Sequence, residues 1–283
     1  MIADAGVVGE ASGLDWARLD ALKAANPEKK LFSTDLMREQ LLLPLAYTSF
    51  TDYVDWETGI CRYESPGFIR MLEEAKKLPD VDDAMKLLTS DEWVEASKID
   101  EITEGKILFD VEELRSVQDY QRILTRLGEN ANFIGFPTES GTGTLLKLPS
   151  SFAITKACKD KAGAWQFLRE QLLAEQKTGN VVFSTNRTLF EAELATAMTP
   201  AGTMDQWGQP LSVFEKPFVQ LTEADAEYLR GMIRTAKPAA LYDAEIDAII
   251  QNEASYYCSG ACTAGEAAAA VQKRVSLYVG EQQ

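Results

Sequence analysis

The chain has 283 residues, 46% hydrophobic and 25% charged, the make-up of a folded globular protein rather than a disordered or fibrous one; at about 150 residues per domain its length suits two domains, or one with an appendage. Acidic residues number 44 against 28 basic, a formal charge of −16, which opposes association with nucleic acid or anionic lipid. Histidine is absent, so mechanisms of the Ser-His-Asp, Cys-His and H-E-x-x-H kinds are excluded.

The first residues, MIADAGVVGEASGLDW, carry neither a basic n-region nor an apolar h-region, and read as neither a signal nor a transit peptide. No apolar run reaches the roughly 20 residues of a membrane span. Leu14, Leu19, Leu22 and Trp16 predict a helix over 14–25, stopped by Asn26-Pro27. A second helix over 34–47 carries Leu36, Leu41, Leu42 and Leu45, with Pro44 set to kink it. Tyr53 to Tyr63 reads as a β-hairpin turning at Glu57-Thr58-Gly59. Ser65-Pro66 then caps a helix that Leu78-Pro79 closes.

GKILFDV at 105–111 and NFIGFPT at 132–138 are apolar, glycine-bounded runs that suit buried strands. Phe152 to Thr155 reads as a short strand feeding a helix with Ala164, Trp165, Leu168 and Leu172 on one face, the strand-then-helix order of an α/β protein. Residues 196–218 hold three prolines and two glycines without periodicity and read as a long loop. Helices follow around Leu229, Met232 and Ile233, then around Ile246, Ile249, Ile250 and Tyr257. Thr263 to Glu266 fits a capping box opening a last helix, with Ala267, Val271, Arg274 and Tyr278 on one stripe.

GTGT at 141–144 lacks the lysine and spacing of a phosphate loop and reads as a turn. The acid pairs Glu73-Glu74, Asp82-Asp83 and Glu112-Glu113 read as water-facing helical residues rather than glycosidase carboxylates. Asn186-Arg187-Thr188 matches a glycosylation acceptor. Cys258 and Cys262 flank a Ser-Gly-Ala turn and suit either a disulfide or two small thiols beside a helix cap. A zinc site there lacks two ligands, and neither a metal nor a cofactor is expected. Trp16, Trp56, Trp93 and Trp165 read as packing residues.

The order of four motifs resembles the carboxyl-terminal portion of extracellular solute-binding proteins of ABC importers, the group related to maltose-binding protein. The motifs are YVDWETGICRYESPGFIRMLEEAKKLP, EGKILF, GFPTESGTG followed by SSFAITKACKDKAGAWQFLREQL, and EASYYCSGACTAGEAAAAVQKRVSLYV. The resemblance implies an α/β, helix-rich, partial periplasmic-binding-protein type II fold, one nearly complete lobe plus part of the other. Residues 13–137 belong by analogy to the second lobe, 138–196 to a partial first lobe, and 197–283 return to the second. It also implies an extracellular or cell-envelope protein that binds a sugar or oligosaccharide for import without catalysis, with a transporter permease as partner; were Met1 the true start, the location becomes cytoplasmic. Solute contacts carried over are Asp35 and Arg38, then Asp110, Glu112 and Arg115, then Tyr242 and Asp243; apart from the resemblance, Trp207 with Phe214 in the 196–218 loop reads as an aromatic platform or a loop anchor. Most of the first lobe's sheet is missing from the pattern, so the strand at Phe152 and the Trp165 helix are expected to expose apolar surface. An alternative role follows, that of a self-associating or protein-binding module without transport.

Overall fold

A computed structural model describes residues 1–9, 13–34, 36–88, 100–138, 141, 144–146, 152–173, 182–199, 218–238 and 243–282. The chain divides into two compact units, one of Met1–Glu112, Asn132–Lys147 and Ala236–Gln283, the other of Glu113–Ala131 and Leu148–Thr235. These units cut across the expected segments, because 113–131 and 197–235 join the second unit together with 148–196.

The first unit begins with β1 (Ile2–Asp4) and a single-turn helix, α1 (Ala5–Val8), capped by Asp4. Helix α2 (Trp16–Ala25) starts where Asp15 Oδ1 accepts the Arg18 amide at 2.7 Å. Helix α3 (Arg38–Tyr53) runs through Pro44, starting later than its apolar pattern and extending six residues beyond it. The hairpin forms as the sequence predicts: β2 (Val54–Asp55) pairs antiparallel with β3 (Ile60–Cys61), Val54 opposite Cys61. Its turn is closed by Asp55, whose Oδ1 accepts the amides of Glu57 and Thr58, and by Gly59 at φ 72°, a left-handed conformation that favours glycine. Helix α4 (Pro66–Ala75) is capped by Ser65, and α5 (Val81–Leu88) by Asp80, whose Oδ1 accepts the Asp83 amide at 2.8 Å.

The 105–111 run is buried at Ile107, Leu108 and Phe109, but joins its neighbours by isolated bridges instead of a full strand. Leu108 N–H donates to the Lys30 carbonyl at 2.9 Å, and Asp110 exchanges both backbone bonds with Ile2. Strand β4 (Ala131–Phe133) pairs with β1. Two-residue strands β5 (Leu145–Leu146) and β6 (Lys237–Pro238) pair in parallel. Helix α10 (Ala244–Cys258) is capped by Asp243, and α11 (Ala264–Gln282) opens on the expected capping box: Glu266 N–H donates to Thr263 Oγ1 while Thr263 N–H donates to Glu266 Oε2.

The core of this unit lies where α11 packs on α10 and α4, and α3 on α4 and α10. Ile246, Ile249 and Ile250 meet Val271, Val275 and Val279 there, with Phe68, Met71 and Leu72 from α4. The inward stripe of α11 is Ala264, Ala267, Ala268, Val271, Val275 and Val279. Arg274, expected on that stripe, faces solvent and pairs with Glu253 at 2.6 Å, because a charged head needs water or a partner. Glu74, expected to face water, is 6% exposed and bound by Lys23 and Lys77 at 3.1 and 2.8 Å.

In the second unit α6 (Val117–Leu127), capped by Ser116, packs on α8 (Arg187–Ala197). Helix α8 has no counterpart in the sequence reading; Asn186 caps it, its Oδ1 accepting the Thr188 amide at 3.0 Å. Arg230 of α9 (Glu223–Thr235) grips Glu191 of α8 at 2.8 Å and Glu223 at 2.9 Å. Between α6 and α8 in sequence stands α7 (Lys161–Leu173), none of whose residues is buried. Phe152–Thr155 has no regular structure, contrary to the strand expected there, since no strand is hydrogen-bonded alongside it among the described residues. Trp165 is 56% exposed instead of packed. Trp16 and Trp56 do pack against the core of the first unit; Trp93 lies outside the described residues.

Candidate functional site

A pocket of about 230 Å³ opens in the first unit between the start of α3, the start of α5 and the last turns of α10. Its polar walls are Arg38, Glu39, Asp80, Asp82, Gln251 and Ser255, with Leu42, Val81 and Ala254 as its apolar part. Local sequence explains the placing of Arg38. The Arg38 amide donates to the Pro79 carbonyl at 2.9 Å, so the first turn of α3 is tied to the end of the α4–α5 connection. From there the guanidinium reaches the Leu78 carbonyl at 3.1 Å through Nη2 and Asp80 Oδ2 at 3.4 Å through Nη1. Asp80 thus serves twice, one carboxylate oxygen capping α5 and the other holding Arg38.

Two buried atoms at this pocket make no hydrogen bond within the protein: Arg38 Nε, a donor, and Glu39 Oε2, an acceptor. Beyond the pocket, burial pushes the Cys258 thiol up, while Arg38 and Lys76 pull it down without overcoming that effect.

Of the expected solute contacts among the described residues, Arg38 alone lines this pocket. Asp35, Trp207 and Tyr242 lie outside the described residues. Asp110 belongs to the first unit, where it is bridged to Ile2 and its Oδ1 accepts the Val111 amide at 2.9 Å; Glu112 is that segment's last residue. Arg115 is exposed in the second unit, its amide bound to Asp119 Oδ2 at 3.1 Å and its carbonyl accepting from Phe183. Asp243 is engaged as the cap of α10 and accepts the Tyr278 hydroxyl at 2.8 Å, a bond that, with some burial, raises the phenol's pKa. Ser255 lies twelve residues further along that helix, about 18 Å at 1.5 Å per residue, so Asp243 does not share the pocket. Cys258 and Cys262 stand as free thiols. Cys262 packs on the core of the first unit.

The sequence reading missed Glu39, Asp80, Gln251 and Ser255. The signal for Asp80 was present in Pro79-Asp80 ahead of an apolar-periodic octet, a helix cap; Gln251 and Ser255 carry no such mark, since α10 alone does not reveal which of its polar residues meet another helix. Among the described residues no group of three or more His, Cys, Asp or Glu side chains suits a metal ion, and no helix is long and apolar enough to cross a membrane.

No protein-family model matches the sequence, and no characterised protein matches it by sequence. The structure does have similar folds. The sugar-binding protein MalE from the phytopathogen Xanthomonas citri superposes with a TM-score of 0.55 at 14% identity, covering 99% of this chain and 68% of MalE. A chitin oligosaccharide binding protein aligns with a TM-score of 0.46 at 12% identity, over 100% of this chain and 69% of its own. The fold is therefore of the periplasmic-binding-protein type, helix-rich, and spans about two thirds of the MalE chain.

Proposed function

We propose that this chain binds a sugar or oligosaccharide without transforming it, as the solute-binding component of an ABC-type importer acting outside the cell membrane. The observation that carries the reading is the fold: nearly the whole chain follows that of MalE, a protein described as sugar-binding. The Arg38 pocket supports it chemically. A sugar hydroxyl both donates and accepts, and the polar walls Glu39, Asp80, Gln251 and Ser255 offer it partners. On this reading a permease receives the solute.

Isothermal titration calorimetry and thermal shift against a panel of mono- and oligosaccharides test the proposal. A ligand at one hundred times its Kd stabilises the unit that binds it by about 2.7 kcal/mol. Arg38→Ala and Glu39→Ala are each expected to weaken binding about tenfold or more, the value of a hydrogen bond to a charged group. Silence across the panel, or hydrolysis of an oligosaccharide by the purified protein, overturns the reading.

A further inference from the structure

The pocket beside Arg38 is walled by more negative than positive charge. Glu39, Asp80 and Asp82 stand there against Arg38 alone. The guanidinium is already engaged, by Asp80 Oδ2 at 3.4 Å and by the Leu78 carbonyl at 3.1 Å. Glu39 and Asp82 make no ion pair among the described residues, and Lys86, one turn beyond Asp82, is held by Asp83 at 2.8 Å. Helix ends adjust this balance without reversing it. The pocket lies at the amino-terminal ends of α3 and α5 and near the carboxyl-terminal end of α10. An amino-terminal end acts as roughly +0.5 charge and a carboxyl-terminal end as roughly −0.5, which leaves the pocket at about −1.5. An ammonium group is drawn into such a space, and a carboxylate is repelled.

Size and the uncharged walls narrow the class further. At about 230 Å³ the pocket is smaller than the roughly 300–1,000 Å³ of a drug-sized ligand's site, which suits one ring rather than an enclosed chain of rings. Leu42, Val81 and Ala254 offer apolar cover to the C–H face of a ring, and Gln251 and Ser255 offer hydrogen bonds to its hydroxyls. We propose that the sugar unit held in this pocket is an amino sugar, a hexose whose free ammonium group is attracted by Glu39 and Asp82. An acetylated nitrogen lacks the charge, and a uronic acid brings the wrong sign. The inference rests on the sugar-binding reading and adds to it the charge of the sugar.

Calorimetric titration of the full chain with glucosamine, glucose, N-acetylglucosamine and glucuronate decides it, at about pH 6, where an amine that titrates near the α-amino value of about 8 is charged. At low ionic strength glucosamine is expected to bind about tenfold tighter than glucose, the gain of a charge-assisted hydrogen bond over a neutral one, and glucuronate weakest of the four. In about 1 M salt, where screening acts within about 3 Å, the gap narrows. Asp82→Asn, at an exposed position whose change leaves folding intact, cuts the glucosamine-to-glucose ratio several-fold. Glu57→Gln removes the same charge from the exposed hairpin turn, outside the pocket wall, and leaves the ratio as it is. Glucose or N-acetylglucosamine binding as tightly as glucosamine overturns the inference and leaves sugar binding standing, whereas silence toward all four sugars removes the reading beneath it as well. A ratio that falls equally in both variants reports the charge of the whole chain and overturns the inference too, as does an alkyl diamine that binds where glucose and glucosamine do not.

Discussion

Glu74 sits with its side chain 7% exposed between Lys23 and Lys77. Burial pushes its pKa up, but the hydrogen-bonded ammonium groups of Lys77 and Lys23 together outweigh burial and hold the carboxyl below its ordinary range. Since the folded value lies below the unfolded one of about 4.3, these bonds contribute stability above that pH and lose it as the pH falls through the depressed folded value. Urea titrations of the wild type and Glu74→Gln are expected to differ most near neutrality and to converge below about pH 4.3; a gap independent of pH contradicts the assignment. Gln272 acts on the hairpin in a comparable way without charge. Its Oε1 accepts the Tyr63 amide at 2.6 Å and its Nε2 donates to the Cys61 carbonyl at 2.9 Å. Gln272→Leu strands both backbone groups, and a loss of about 1–3 kcal/mol in unfolding free energy is expected from the urea midpoint.

At the scale of elements, caps were the most legible feature, because a cap is a contact between neighbours in sequence. Ser65 and Thr263, the two caps read from the sequence, each bind an amide three residues on. Thr263→Ala is expected to cost about 1 kcal/mol, read from thermal or urea unfolding. Helix α8 shows how one residue serves two patterns: Asn186-Arg187-Thr188 matches a glycosylation acceptor, while the Asn186 amide oxygen caps the helix by accepting the Thr188 amide. The 152–155 strand failed for a tertiary reason: its composition suits a strand, but a strand exists only when another chain segment takes up its backbone bonds. Helix α7 shows the same dependence. Ile250→Ala, at a site 1% exposed in α10, is expected to cost about 2–5 kcal/mol. Leu172→Ala, at 43% exposure on α7, is expected to change stability by no more than about 0.5 kcal/mol. Denaturant midpoints of the two variants compare them directly, and a large loss at Leu172 shows that α7 is buried after all.

For the whole molecule, the main apolar cluster, from Leu14 through Phe109 to Val279, is drawn entirely from the first unit. The second has its own buried residues, including Tyr120, Ile123, Leu194 and Leu229. Two units with separate cores have no common reason to unfold together, and scanning calorimetry is expected to resolve two transitions, the larger from the first unit. A single transition whose calorimetric and van't Hoff enthalpies agree excludes this. The expected residue segments divided the chain at 137 and 196 by analogy of motif order, whereas the units divide it at 112, 131, 147 and 235. Motif order records which elements follow one another; the packing of their side chains decides which of them share a core.

Residue order by itself determined helices α2, α4, α10 and α11, the caps at Ser65 and Thr263, the hairpin turning at Glu57–Gly59, the buried runs at Ile107 and Ile246, and the resemblance to a binding-protein fold. All of these rest on period, on turn chemistry or on contacts within a few residues. Only the tertiary structure decided that Arg38 meets Asp80, Gln251 and Ser255 around one pocket and that Glu74 is buried against Lys23. Each depends on segments separated by tens to hundreds of residues coming together, and the free energy that brings them together is the burial of apolar faces, which does not record in advance which polar side chains are carried into contact.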